Sequence, residues 1–428
     1  MKTHLTDDPC KGEPHTSPEP PPVERIVIVG AGQAGCAIAL ELRKFGFQGN
    51  VCIVGMESYL PYQRPPLSKA YLGGDADVQK LMLLSERRRQ DSGIDFVGGT
   101  QVLGINREQK TLSLANGRTM AYDRLALTTG GTCRSLPLPG SDRGNVLSLR
   151  SIDDADRIRT HWKTGTRLVI VGGGFIGLEV AAKAVTAGLE VTVLEALPHI
   201  LSRVTIPKVS EFYEAVHRAA GVKLLTNTKI DGLEGSPDVT HVRLADGSRI
   251  EADLVLVGIG LSPNIALAQA AGLDCQDGIM VDEFTRTSDP LIVAAGDCTN
   301  HPSAYAQRRL RLESVQNAVD QARVAAATLC GQPKAYNTVP WFWSDQYDLK
   351  LQVVGLSGGH DKWVLRGSPA SRSFSVFYFL SGRLIAADSI NRMQDHMLAR
   401  RLIADGARLD PLKIADERIS LTEAMETA

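Results

Sequence analysis

Two short segments of the chain carry glycines at a spacing that lets a backbone approach a phosphate group. Each follows an apolar run and leads into a helix-like run; their glycines are Gly30, Gly32 and Gly35 in VIVGAGQAG, and Gly172, Gly174 and Gly177 in VIVGGGFIG. The first glycine of a set permits a tight turn, the second leaves room for a pyrophosphate at the helix N-terminus, and the third lets helix and strand pack closely. The two copies therefore predict two dinucleotide-binding turns.

The residue that ends the second strand of each unit indicates which dinucleotide binds. Glu195 ends VTVLE, where a carboxylate can accept hydrogen bonds from ribose hydroxyls and would repel the 2′-phosphate of NADP. Ala196 and Leu197 supply no cation, so the second unit favours NADH. In the first unit the aligned position is Gly55; Glu57, two residues later, is either a displaced ribose ligand or a solvated loop acid.

The elements around these turns predict an α/β fold with two Rossmann-like dinucleotide-binding domains. Arg25–Gly30 and Asn50–Val54 predict buried strands on either side of a helix, Ala31–Phe45, and the second unit repeats this order from Arg167. From about Tyr336 the pattern changes to antiparallel strands and a helix, which predicts a separate C-terminal α+β domain. Two dinucleotides in one chain suggest a resident flavin and a visiting nicotinamide, with hydride transfer between them.

The composition argues against several other classes of function. A net charge of −1 gives no strong positive field for nucleic acid, and no apolar run is long enough to cross a membrane. Seven cysteines lie far apart without a CxxC pair, which predicts reduced thiols in the cytoplasm, with neither a metal site nor a redox-active disulfide. The proline-rich residues 1–24 predict a disordered leader.

Further segments make the chain resemble a known family. They are PPLSKAYL, YDRLALTTGG, GIGLSPN, TSDPLIVAAGDC, RLESVQNA and PWFWSDQYDLKLQVVGLS. Together with the glycine turns they are similar to the putidaredoxin reductase-like, FAD-dependent NADH:ferredoxin reductases that serve bacterial oxygenases. The resemblance implies a glutathione-reductase-like fold with a split FAD domain (25–134 and 262–336), an inserted NADH domain (135–261) and a C-terminal domain (337–428).

The resemblance also implies cofactor contacts outside the glycines. Asp297, in GDC, is expected to hold the ribityl chain of FAD, and Trp343, in WFW, is expected to cover the flavin; a turn-capping aspartate and a core tryptophan are the alternatives. The other FAD contacts that the resemblance implies are Ala34, Arg64, Lys69, Val102, Arg150 and Val315, of which Arg150 has a surface salt bridge as its alternative. Glu57 remains a candidate FAD contact because of its position after Gly55. The expected NADH contacts are Phe175, Ile176, Glu179, Glu195 and Gly260.

Lys69 and Glu179 are the pair expected at the reactive centre. Lys69 ends PPLSK, and Glu179 lies two residues after Gly177. In the family that the chain resembles, these positions meet beside N5 of the flavin. A cation there would stabilise negative charge on reduced flavin, and the carboxylate would hold the lysine and help to orient the nicotinamide. A plain structural ion pair is the alternative.

The resemblance implies a small [2Fe–2S] ferredoxin as electron acceptor, which in turn serves a cytochrome P450 or a Rieske-type oxygenase. No nucleic acid or membrane partner is expected, and the chain is expected to be a monomer or a weak dimer. Because ferredoxins are usually acidic, we expect a local basic surface. The candidates are Arg87–Arg89, Arg308, Arg309, Arg311 and Arg323, each with a solvated helix face as its alternative.

Other functions are compatible with the same motifs. A rubredoxin reductase or an NADH oxidase would use the same cofactors. An interaction protein similar to apoptosis-inducing factor would use NADH binding as a conformational switch. The C-terminal segment PWFWSDQYDLKLQ favours the ferredoxin reductase.

Overall fold

The computed structural model describes residues 23–425 of the chain. Most of the predicted leader, with Cys10, lies outside the described residues. Within 23–425, no helix combines the length and the apolar character needed to span a bilayer.

A first parallel sheet is built around the strand that precedes the first glycine turn. In spatial order its strands are Ile292–Ala294, Arg124–Leu127, Arg25–Val29, Asn50–Val54 and Ile94–Val97. The chain runs from the central strand first to one side and later to the other, so the carboxyl end of Arg25–Val29 lies at a switch point of the sheet. Ligands of such sheets bind in the crevice at that point.

A second parallel sheet repeats this plan around the strand that precedes the second glycine turn. In spatial order its strands are Lys223–Leu225, Glu190–Leu194, Arg167–Val171, Leu254–Val257 and Val146–Leu147. Each parallel sheet has a three-stranded antiparallel companion; their strands are Val102–Asn106, Thr111–Leu114 and Thr119–Ala121 in the first unit, and Ile230–Glu234, His241–Leu244 and Arg249–Glu251 in the second. The two units are therefore copies of one architecture.

Two connections join these units side by side. Gly131–Cys133 leaves the first unit, Leu261–Pro263 returns to it, and the two segments pair as an antiparallel ribbon. A further small sheet on the first unit contains Ile279–Met280, Thr299–Ser303 and Arg308–Leu310.

Two helices begin at the glycine turns and carry the names used below. The first glycine-turn helix is Gln33–Lys44, and the second glycine-turn helix is Phe175–Thr186. The alanine-rich helix, Val315–Leu329, packs along the first of these. The remaining α-helices are Val78–Leu81, Glu86–Asp91, Ile152–Thr160, Pro207–Ala219, Ala266–Ala270, Met393–Ala404 and Pro411–Ala415, and short 3₁₀ turns cover Pro65–Ser68 and Pro369–Ser371.

The C-terminal region forms one antiparallel sheet, as its alternating sequence predicts. In spatial order its strands are Trp341–Gln346, Leu349–Gly355, Arg383–Ile390, Ser373–Leu380 and Lys362–Ser368. Phe377 and Phe379 pack with Leu402 and Ile403 of the last long helix in one apolar cluster. Two parallel α/β units followed by an antiparallel α+β region confirm the predicted fold class.

Small side chains allow the alanine-rich helix to approach the first glycine-turn helix closely. Ala322, Ala325 and Ala326 of the former lie in the same buried cluster as Ile38 and Ala39 of the latter. Protein interiors are packed to crystal-like density, so this contact has no room for larger side chains.

Enlarging this contact should destabilise the protein. Ala322 is fully buried, and Ala322→Leu should lower the free energy of unfolding by about 1–3 kcal/mol, because added methylenes force the helices apart. Thermal unfolding followed by circular dichroism measures the change. Ala215→Leu, at an exposed helical position, is the matched control and should leave the transition nearly unchanged; equal effects of the two substitutions would contradict the packing argument.

Candidate functional site

The first glycine turn has two glycines that packing requires and one that faces open space. Gly30 has φ +118°, and a Cβ there would lie 2.2 Å from the carbonyl oxygen of Thr128. A Cβ on Gly35 would lie 2.0 Å from the carbonyl oxygen of Gly30. By contrast, a Cβ on Gly32 would meet nothing within 4 Å. The fold itself therefore leaves room for a side chain at Gly32, and this room is available to a ligand.

The second glycine turn has the same division. Gly172 has φ +110°, and a Cβ there would lie 2.5 Å from the carbonyl oxygen of Gly258; a Cβ on Gly177 would lie 2.4 Å from the carbonyl oxygen of Gly172. A Cβ on Gly174 would meet nothing within 4 Å. Gly260, with φ +107°, also borders open space.

Both helices that leave these turns begin without a side-chain cap. Gly32 and Gly174 are their N-cap residues, and neither helix has an acidic residue in its first turn. The first backbone N–H groups of a helix have no partner within the helix and carry partial positive charge. With an open glycine position beside them, these groups fit the pyrophosphate of a dinucleotide at each turn.

The two turns differ at the position that would read the ribose. Glu195 follows the strand Glu190–Leu194, and its carboxylate accepts hydrogen bonds from the backbone N–H of Gly173 and of Leu197, each at 2.8 Å. In the first unit, a Cβ on Gly55 would lie 2.6 Å from the Cβ of Ala31. A carboxylate therefore fits beside the second turn, and no side chain fits at the aligned position of the first.

Four predicted FAD contacts form one connected polar cluster. The Arg64 guanidinium lies 2.6 Å from Glu57 Oε1 and donates to the carbonyl oxygen of Arg150 at 2.6 Å. The Arg150 guanidinium in turn lies 3.1 Å from Asp297 Oδ2. Tyr62 donates to the other oxygen of Glu57, and burial raises the pKa of Tyr62. Glu57 is thus not a freely solvated acid but the end of this cluster.

Three further predicted contacts lie on elements of the first unit. Ala34 is buried in the first glycine-turn helix. A Cβ added to Gly296 would lie 3.3 Å from the Cβ of Ala34. This contact brings the turn that carries Asp297 against the first glycine turn. Val315 begins the alanine-rich helix, and Val102 is buried at the start of a strand of the first antiparallel companion.

Lys69 and Glu179 meet, although they belong to different units. Lys69 Nζ lies 2.7 Å from Glu179 Oε2, and only 2% of the Glu179 side chain is exposed. Ser68 donates to the same oxygen at 2.6 Å, and Ser344 donates to Glu179 Oε1 at 2.7 Å. The carboxylate therefore joins the end of the 3₁₀ turn Pro65–Ser68, the second glycine-turn helix and the C-terminal sheet.

Aromatic residues directly precede Ser344 on the C-terminal sheet. The ring of Phe342 packs on Phe175 of the second glycine-turn helix, with 4.5 Å between centroids. Trp343 is half-buried, and its ring centroid lies 5.8 Å from that of Trp341. Ile176 is exposed at the start of the helix. The structure thus places the predicted lid residue on the strand that also carries Ser344.

Sequence reasoning missed three residues that hold these groups in place. Ser68 and Ser344 donate to Glu179, while Gln321 Oε1 accepts from the backbone N–H of Gly296 at 2.8 Å and from Thr299 at 2.9 Å. Both serines stand inside segments that carry the resemblance, PPLSK and WFWSDQ. No spacing rule connects a serine to a carboxylate more than a hundred residues away, so the sequence gives no signal for their role.

The cysteines of the described region do not resemble redox-active thiols. Cys36, just after the first glycine turn, is buried, and burial raises its pKa to about 12; burial also raises the pKa of Cys298, beside Asp297. A reactive cysteine needs a thiolate. Within residues 23–425 there is also no group of His, Cys, Asp and Glu side chains arranged to hold a metal ion.

The candidate docking arginines differ in exposure, although Arg323 and Arg87 also pair with acids of their own helices, Asp320 at 3.6 Å and Asp91 at 3.7 Å. Arg323 is 58% exposed and Arg87 is 92% exposed. Arg311 is largely buried and pairs with Asp277 at 3.1 Å, and Arg309 donates to a backbone carbonyl at 2.7 Å. Arg323 and Arg87 are therefore better placed than Arg309 and Arg311 to meet a partner.

Comparisons with known proteins identify the family of the chain. The sequence model of the family described as pyridine nucleotide-disulphide oxidoreductase matches residues 24–322, and the model described as reductase C-terminal matches residues 341–425. The chain is 45% identical to putidaredoxin reductase of Pseudomonas putida, over 95% of this chain and 97% of that protein. It is 42% identical to a 5,5′-dehydrodivanillate O-demethylase ferredoxin reductase subunit from a Sphingobium strain, over 93% of this chain and 97% of that protein.

The structure is similar to that of the reductase in a covalent putidaredoxin reductase–putidaredoxin complex. The TM-score is 0.91 at 45% sequence identity, and the match covers 94% of this chain and 98% of that one. The predicted family, glutathione-reductase-like fold and pair of cofactors are thereby confirmed. The chain belongs to the pyridine nucleotide-disulphide oxidoreductase family, in its putidaredoxin reductase-like ferredoxin reductase group, and is an FAD-dependent oxidoreductase that uses NAD(H).

Proposed function

We propose that this chain is an NADH-dependent reductase that passes electrons through FAD to a [2Fe–2S] ferredoxin of an oxygenase system. The observation that carries the proposal is the buried Lys69–Glu179 pair, which lies where two dinucleotide-binding units and the C-terminal sheet meet. When bound, FAD would supply the chemistry of hydride acceptance from NADH and of one-electron release, and the side chains named below would hold and orient it.

We assign FAD to the unit formed by residues 25–134 and 262–336. The open face at Gly32 and the uncapped first glycine-turn helix would hold its pyrophosphate, and Asp297, fixed by Arg150, would accept hydrogen bonds from its ribityl hydroxyls. Arg64 donates to the backbone carbonyl of Arg150 and pairs with the carboxylate of Glu57. We propose that Glu57 takes the place of the ribose-binding acid that would otherwise stand at position 55. Residues 337–428, with Trp343, would cover the far side of the flavin.

We assign NADH to residues 135–261. Gly174 and the second glycine-turn helix would hold its pyrophosphate, and Glu195, already oriented by two backbone N–H groups, would accept hydrogen bonds from the adenosine ribose. A carboxylate there opposes the 2′-phosphate of NADPH. Phe175, Ile176 and Gly260 would line the remaining path toward Glu179.

Lys69 and Glu179 would then act on the cofactors by position and charge. The ammonium group would stabilise negative charge near N5 of the flavin, and the carboxylate would hold the lysine and help to orient the nicotinamide. The pair is largely withdrawn from water, where an electrostatic interaction is stronger than at an exposed site.

The acceptor follows from the relatives and from the exposed cations. The names of the two relatives refer to putidaredoxin and to an O-demethylase ferredoxin reductase subunit. We propose a ferredoxin that serves a cytochrome P450 or a Rieske-type oxygenase, docking near Arg323, in the cytoplasm and with the reductase as a monomer or weak dimer. Complementary charge would speed the encounter and make it sensitive to salt.

Substitutions at the second glycine turn should separate nucleotide binding from folding. Gly174→Ala should fold and retain FAD, because its φ of −84° suits alanine and its Cβ meets nothing. Its KM for NADH should rise roughly tenfold, because the methyl group displaces the pyrophosphate from a charge-assisted hydrogen bond. Gly177→Ala is the contrast: it should lower the melting temperature, because its Cβ meets backbone. An unchanged KM in Gly174→Ala would argue against a dinucleotide at this turn.

Exchanging the acid for a cation should change nucleotide preference. Glu195→Ser with Ala196→Arg removes the repulsion and offers a phosphate contact worth about 1.5–3 kcal/mol. The ratio of kcat/KM for NADH to that for NADPH should therefore fall by roughly tenfold to a hundredfold. Glu190→Gln, at the exposed other end of the same strand, is the control. If the ratio does not move, the ribose is recognised elsewhere.

The acceptor can be tested with purified components. NADH-driven reduction of cytochrome c should depend on an added [2Fe–2S] ferredoxin and should weaken as salt screens the docking charges. Arg323→Glu should lower the rate with ferredoxin while leaving FAD reduction by NADH unchanged. A rubredoxin serves as the comparison acceptor. Equal rates with and without ferredoxin would favour an NADH oxidase or a conformational switch.

A further inference from the structure

The carboxylate of Glu179 depends on a donor from the C-terminal sheet. Its Oε2 accepts from Lys69 and Ser68, whereas in the described part of the chain Oε1 has Ser344 as its hydrogen-bond donor, at 2.7 Å. Ser344 is fully buried. Without that hydroxyl, a buried carboxylate oxygen would be left unpaired, which is costly.

Ser344 is itself held by two buried side chains. Gln346 Nε2 donates to Ser344 Oγ at 3.2 Å, so the serine hydroxyl hydrogen is free to point at Glu179. Gln346 Oε1 lies 2.8 Å from His217 Nε2 on the helix Pro207–Ala219. His217 Nδ1 lies 3.0 Å from the hydroxyl of Tyr347.

These contacts give the hydrogen bonds one direction. Because Gln346 Oε1 can only accept, His217 carries its hydrogen on Nε2, and its Nδ1 accepts from the Tyr347 hydroxyl. His217 is fully buried, and burial lowers its pKa, which keeps the ring neutral as this arrangement requires. Each group from Tyr347 onward therefore donates toward Glu179, and hydrogen bonds aligned in this way polarise one another.

We propose that Ser344 is a positioning residue for the Lys69–Glu179 pair, and that Gln346 and His217 fix the direction of its hydroxyl. The inference rests on the proposed function, since it concerns how that pair is held. The physical reason is that the carboxylate of a glutamate rotates readily about the bond that joins it to the side chain. With Lys69 and Ser68 as its remaining donors, the Glu179 carboxylate would rotate so that each of its oxygens accepts from one of them. The ammonium group of Lys69 would then no longer be held in one position.

Removing the hydroxyl should affect both the rate of FAD reduction and its energetics. In FAD-loaded protein without ferredoxin, Ser344→Ala should slow reduction by NADH by roughly tenfold or more, since misplacing a reacting group by about 1 Å can cost a hundredfold. The equilibrium constant for two-electron reduction of FAD should fall up to tenfold, a shift of about 30 mV in midpoint potential. Ser344→Thr retains a hydroxyl and should restore most of both values.

A second variant tests whether the residues act as one chain. His217→Phe keeps an aromatic ring beside Tyr347, whose ring centroid lies 5.1 Å away, but removes the donor to Gln346. It should slow reduction less than Ser344→Ala does, and the double variant should be no slower than Ser344→Ala alone. If the two effects multiply, the residues act independently and the proposal is wrong.

The control removes a different buried serine hydroxyl from the same sheet. Ser375 contacts Ser389 and Asp395, at 3.1 and 3.0 Å, and does not contact Glu179. Ser375→Ala should leave the reduction rate and the potential unchanged. A Ser344→Ala protein with wild-type rate and potential overturns the proposal; if that variant fails to retain FAD, His217→Phe with wild-type values overturns it. Failure of wild-type protein to be reduced by NADH would instead overturn the proposed function.

Discussion

A buried carboxylate, that of Glu179, joins the three parts of this molecule. A carboxylate removed from water is stable only if cations or hydrogen-bond donors satisfy it. Glu179 meets this condition with donors from two other parts of the chain, Lys69 and Ser68 on one side and Ser344 on the other. The carboxylate therefore joins the first unit, the second unit and the C-terminal sheet at one point, and that point is where we propose that the two cofactors meet.

The two dinucleotide-binding units share one architecture but differ at two positions that lie against each other. In the second unit, Gly173 has no side chain and Glu195 lies against its backbone N–H. In the first unit, Ala31 has a Cβ, and a side chain at Gly55 would collide with it. An acid therefore stands beside the turn in the second unit, whereas in the first unit the nearest acid is Glu57, two residues later and paired with Arg64.

Much of this arrangement could be predicted from the sequence, for specific reasons. The glycine turns are readable because steric limits at Gly30, Gly35, Gly172 and Gly177 leave no alternative residue. The pairing of Lys69 with Glu179 was implied only by a family resemblance, since 110 residues separate them. Ser344, Gln346 and His217 were not found, because hydrogen bonds between distant segments leave no periodicity in a sequence.

A crystal structure of the protein with FAD and an NADH analogue bound would show whether the two cofactors meet at Lys69 and Glu179. We expect one pyrophosphate at each glycine turn, with the nicotinamide and flavin rings in van der Waals contact beside Lys69 and Glu179. An empty turn, or two rings held apart with the Lys69–Glu179 pair remote from both, would show that this pair does not mark the site of electron transfer.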